Sequence, residues 1–194
     1  GSFAKIAPAQ QRLEEARRLE DAQLHVFDAP VADANVERAF ALDARDALRR
    51  RDGARLQSLR DATTAQGHPL ASWIDYWELT NRLAQAQQSD VDAFYARWPG
   101  TYVEDRLRND WLLELGKRRD WANFSRDYPR FRMNDDREVS CYFMLTQAQA
   151  GVDVRDAARA AWFAQRELDD GCNLLASTLV AAGQLSEADA WQKA

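Results

Sequence analysis

Thr101–Trp121, TYVEDRLRNDWLLELGKRRDW, is the stretch that decides the fold. Val103, Leu107, Trp111 and Leu115 recur every fourth residue, so at 3.6 residues per turn they share one side of a helix. The run contains no proline, and Gly116 stands where the helix is expected to close before the polar connection Lys117–Asp120. The spacing predicts a one-sided helix over 101–117. Such a helix is too short to stand alone and must bury its stripe on neighbours.

The same pattern continues outward. Val154, Ala158, Ala161 and Trp162 follow the i, i+4, i+7, i+8 spacing, and Leu174, Leu175, Thr178, Leu179 and Ala182 repeat it. Gly116, Gly151 and Gly183 lie 35 and 32 residues apart and are followed by Trp121, Trp162 and Trp191 respectively. A period near 34 with two helices per unit marks stacked helical hairpins of the tetratricopeptide kind. The full consensus of that repeat is not met, so the array is degenerate. Further helices are expected over 5–27, 33–51, 52–65, 70–86, 90–97, 120–127, 135–149, 154–168 and 172–182, and again from 186. Short connections make consecutive helices antiparallel. The expected fold is therefore all-α, a superhelix of antiparallel hairpins, with leading helices over 3–65 and hairpin repeats over 66–194. Gly1-Ser2 reads as the scar of a removed tag, and the last unit, Leu185–Ala194, as one cut inside a longer protein.

Composition agrees with this reading. The 194 residues include 34 Ala against 9 Val, 2 Ile and 6 Thr, which excludes a sandwich, a barrel or a doubly wound sheet. A formal charge of −5 argues against a nucleic-acid binder. No apolar run approaches the roughly 20 residues that span a bilayer.

Four groups of residues carry candidate chemistry. Cys141 and Cys172 lie 31 residues apart near the starts of helices in successive hairpins. They are either bridged, which implies an oxidising compartment, or two buried thiols acting as small hydrophobes. Trp73, Tyr76 and Trp77 recur at i, i+3 and i+4 with Phe94, Tyr95 and Trp98 close behind, a stripe expected to pack in the core rather than to form a sugar platform. Residues 97–132 hold nine Lys or Arg against six Asp or Glu. Arg106, Arg108, Arg118 and Arg119, with Arg126, Arg130 and Arg132, are candidates for a groove that meets an anionic polymer or partner, set against a merely solvated face. Finally, His25 and His68 lack metal-ligand neighbours, and Asn134–Glu138 reads as a helix start capped by Asn134 or Asp135 rather than a calcium loop. No metal, cofactor or catalytic residue is expected.

Several of these segments resemble the soluble lytic transglycosylases, periplasmic enzymes that cleave peptidoglycan. The resemblance lies in HPLASWIDYWEL at 68–79, FYARWPGTY at 94–102, LRNDWL at 107–112, Asp120-Trp121, Tyr128-Pro129 and the Cys141, Cys172 pair, and it spans about 66–191. It implies that the two cysteines are bridged and that the chain is the N-terminal U-shaped superhelix of such an enzyme. It further implies that catalysis sits in a separate C-terminal lysozyme-like domain with a Glu-Ser dipeptide. None of the ten glutamates here precedes a serine. By the same resemblance the parent cleaves the MurNAc–GlcNAc β-1,4 bond and leaves 1,6-anhydro ends. Its expected partners are glycan strands, its own catalytic domain and other cell-wall proteins. The other reading from the residues alone is a stand-alone helical-repeat module that binds a peptide in its concave groove.

Overall fold

The structure is a computed structural model that describes residues 31–188, with side chains from 38 to 188. The expected helix over 5–27, His25 and Trp191 lie outside the described residues. Nine α-helices form among those described, and no strand: α1 (Val31–Arg49), α2 (Gly53–Ala65), α3 (Ala71–Asn81), α4 (Gln88–Arg97), α5 (Tyr102–Arg118), α6 (Trp121–Asp127), α7 (Arg137–Gln149), α8 (Arg155–Ala164) and α9 (Asp170–Ala181). The chain divides into two compact units, Gly1–Leu107 and Arg108–Ala194.

Aspartates start four of these helices. Asp52, Asp120, Asp136 and Asp169 each accept a hydrogen bond from the backbone N–H three residues on, of Arg55, Asn123, Val139 and Cys172, at 2.7–3.2 Å. Each satisfies an N–H that the helix itself leaves open. The cap of α7 is thus Asp136 and not Asn134 or Asp135. Asn134 takes a left-handed backbone instead (φ 43°) and accepts from the Tyr128 hydroxyl at 3.0 Å.

In the first unit α1, α2 and α3 pack on one another. Ala44, Ala47, Leu56, Leu59, Leu70 and Ile74 form the buried centre, with Phe40 and Trp77 against it. In the second unit α7 packs on both α8 and α9. Contact of a helix with its next and next-but-one neighbours is the pattern of stacked hairpins. Cys141, Leu145, Val154, Ala158, Cys172, Leu175 and Leu179 fill the space between them.

Three expectations change. Gly116 does not close its helix; it lies inside α5, and Arg119 adopts the left-handed turn (φ 57°), with Asp120 N–H returning to the Leu115 carbonyl at 3.0 Å. The helix expected over 70–86 ends at Asn81 and passes into a 3₁₀ turn at Leu83–Gln85, where the hydrogen bonds shorten to i→i+3. The helix expected to reach 168 ends at Ala164, because the buried Gln165 turns out of it and donates to the Asp169 cap at 3.1 Å.

Candidate functional site

Charged residues at the helix contacts of each unit are the natural place to look for chemistry. In the second unit the densest cluster joins α5, α7 and α9. Tyr142 on α7 donates its hydroxyl to Asp170 at 2.5 Å, and Arg119 grips the same carboxylate with both terminal nitrogens, at 2.5 and 3.0 Å. Arg119 also donates to the Gly116 carbonyl at 2.8 Å. The guanidinium beside Asp170 holds its carboxyl below the usual range, and burial together with that carboxylate pushes the Tyr142 phenol well above its own. The proton therefore stays on the phenol, and the cluster is a fixed tie rather than an acid–base pair.

Two glycines make room for it. A Cβ on Gly116 would lie 2.3 Å from the Tyr142 ring, and one on Gly171 would lie 2.8 Å from the Glu138 backbone carbonyl. Beside them Glu138 accepts from the Gly171 N–H at 3.0 Å. Desolvation, with Asp169 and Asp136 near, raises the Glu138 carboxyl. The Cys141 and Cys172 sulfurs are bonded, with Cα atoms 4.9 Å apart, and both residues are buried. The bridge staples α7 to α9 one turn below the Tyr142 tie.

The four groove arginines separate. Arg108 is only 1% exposed: its Nε meets Asp127 at 3.0 Å and its Nη1 the Arg130 carbonyl at 3.3 Å, so it faces the protein and not a groove. Arg118 pairs with Glu114 at 3.0 Å and lies 4.9 Å from the Trp111 ring centre. Arg119 holds Asp170. Arg106 is exposed and belongs to the first unit.

Each segment that carries the family resemblance is taken up in the fold in the same way. In 107–112, Leu107, Trp111 and Leu112 are fully buried, Arg108 holds Asp127, and Asn109 donates to the Asp136 cap at 2.9 Å. Asp120 caps α6. In the first unit the fully buried Asp75 accepts from Arg97 Nε at 2.7 Å, Arg97 Nη2 at 3.0 Å and the Trp98 indole at 2.7 Å, linking α3 to the end of α4. Glu78, also buried, takes Arg60 at 3.1 Å and Arg82 at 2.7 Å. Sequence reading missed the Tyr142–Asp170 and Asp75–Arg97–Trp98 ties, since partners 28 and 22 residues apart give no local signal. The aromatic stripe packs: Trp73 touches Tyr76, Trp77 and Tyr102 at 6.0–6.3 Å between ring centres. His68 sits at the entry to α3, its Nδ1 accepting from the Leu70 N–H at 3.0 Å. Among the described residues no group of three or more His, Cys, Asp or Glu could hold a metal ion.

No family model matches the chain, and no curated protein does. A solved structure does match: an inactive mutant of lytic transglycosylase Slt from Pseudomonas aeruginosa, at 25% identity and a TM-score of 0.60, over 79% of this chain. The chain is similar to a lytic transglycosylase. It spans a quarter of the length of that Slt chain, 25%. The all-helical architecture and the family context thus rest on the same match, and the buried ties explain why the matching segments preserve structure. Among the described residues no helix is long and apolar enough to cross a membrane.

Proposed function

We propose that this chain is a non-catalytic helical scaffold segment of a periplasmic soluble lytic transglycosylase. The complete protein would cleave the MurNAc–GlcNAc β-1,4 bond of peptidoglycan and leave 1,6-anhydro-muramyl ends. The observation that carries the proposal is the likeness of 79% of this chain to only 25% of Slt. Three features support the scaffold role. The buried acids Asp75, Glu78 and Asp127 are all engaged by arginines. The most perturbed phenol, Tyr142, is tied to Asp170. No glutamate in the sequence precedes a serine. The buried disulfide suits an oxidising compartment outside the cytoplasm.

The test has two arms. The chain alone should give no clearing in a peptidoglycan zymogram, and clearing would overturn the non-catalytic role. The natural reading frame beyond Ala194 should encode a lysozyme-like domain with a Glu-Ser dipeptide. A stop codon at that point would overturn the parent-enzyme reading and favour the stand-alone interaction module.

A further inference from the structure

Helix α9 is apolar on more than one side. Leu175 and Leu179 enter the core of the second unit. On another side lies an open groove of about 700 Å³, lined by Trp162, Leu168, Asn173, Val180, Ala181 and Glu187 among others. Leu168 is 73% exposed at its edge, and Phe163, next to Trp162, is 42% exposed. A helix that is apolar all round is ordinarily buried all round, so this side lacks its cover. The Asn173 side-chain oxygen is buried with no hydrogen-bond partner among the described residues. A buried acceptor of that kind calls for a donor.

The chain after α9 is directed back at the groove. Gly183 takes a left-handed backbone (φ 69°), Gln184 N–H bonds to the Leu179 carbonyl at 2.8 Å, and Leu185 packs against the core. Helical backbone resumes at 187, and Glu187 itself lines the groove. Counting on from Glu187 at helical spacing, i+3, i+4 and i+7 are Ala190, Trp191 and Ala194, whereas Asp189, Gln192 and Lys193 fall elsewhere. The apolar members of the segment therefore share the side that Glu187 turns to the groove.

We propose that this groove is the docking site of the chain's own segment 189–194, anchored by Trp191, whose indole N–H is the donor matched to Asn173. An indole offers the large apolar area and the single donor that the groove lacks. The short tether gives the segment a high effective concentration, which favours it over a second copy of the chain.

The test places a reporter thiol in the groove by Ala181→Cys in the full chain and follows its reaction with a bulky maleimide. Ala181 is exposed except for this groove, and an unchanged far-ultraviolet circular dichroism spectrum shows that the variant folds. Adding Trp191→Ala should raise the labelling rate roughly tenfold or more, the change expected for loss of one buried large side chain. Trp191→Phe, which keeps an aromatic ring and loses the donor, should fall between. Equal rates with and without Trp191 overturn the proposal. Protection that grows with protein concentration also overturns it, and assigns the groove to a second copy.

Discussion

Tyr142 donates its hydroxyl to Asp170 at 2.5 Å across 28 residues, and this bond joins α7 to the first turn of α9. The same carboxylate is held by Arg119, but that pair is about two-fifths exposed on both sides, 41% and 43%. A hydrogen bond to a charged group is worth about 1.5–3 kcal/mol when shielded, whereas exposed ion pairs contribute about 0–1 kcal/mol. Tyr142→Phe should therefore cost about 1.5–3 kcal/mol in urea unfolding, and Arg119→Ala about 1 kcal/mol or less. A larger loss for the arginine would show that the ion pair, not the phenol, holds the helices.

Gly116→Ala inverts an ordinary rule. Inside a helix alanine is usually better than glycine by about 1 kcal/mol. Here the new methyl would lie 2.3 Å from the Tyr142 ring, which is itself fixed at Asp170. Overpacking of this sort costs about 1–3 kcal/mol, so the variant should lose stability. The double variant Gly116→Ala, Tyr142→Leu should recover part of the loss, and no recovery would place the clash elsewhere.

Arg108 and Asp127 form a buried pair at 3.0 Å, exposed by 1% and 3%. Removing one partner leaves the other charge uncompensated, at a cost of about 3–5 kcal/mol, whereas apolar replacement of both is often near neutral. Asp127→Leu alone should thus destabilise more than Arg108→Met with Asp127→Leu. Retention on purified sacculi should be the same for the chain with Arg108→Lys as for the parent sequence, because the side chain is buried; a loss of retention with folding intact would restore Arg108 to a binding role.

Glu138 and Asp170 should shape opposite ends of the pH profile. The folded Glu138 carboxyl is raised, so its favourable contribution is complete below the unfolded value of 4.5 and is lost as pH rises through the folded value. Glu138→Gln should be more stable than the parent sequence near pH 7 and equal to it near pH 4. Asp170 is lowered, so its contribution exists above the unfolded value of 3.8 and is lost as pH falls through the folded one. Asp170→Asn should flatten the acid limb only. Parallel profiles for both variants would contradict these directions.

The Cys141–Cys172 bridge closes a 31-residue loop, for which the loop-entropy relation gives about 3.7 kcal/mol. Reduction should lower the denaturation midpoint by a corresponding amount. Thiol titration of the unreduced, denatured chain should find no free thiol, and two free thiols would refute the bridge.

Much of this was legible before any coordinates. Val103, Leu107, Trp111 and Leu115 determined α5, and capping aspartates with left-handed glycines such as Gly151 and Gly183 determined where most helices begin and end, because these are interactions within one or two turns. The cysteine spacing was compatible with a bridge but left it open. Tertiary structure alone decided that Gly116 serves Tyr142 rather than a helix end, that Arg108 faces Asp127 rather than solvent, and that Asp75 gathers Arg97 and Trp98. These depend on which helix lies against which, and that choice is made by packing between segments tens of residues apart. Local periodicity specifies the side a helix must bury, and only the neighbouring helix determines which charges on that side find a partner.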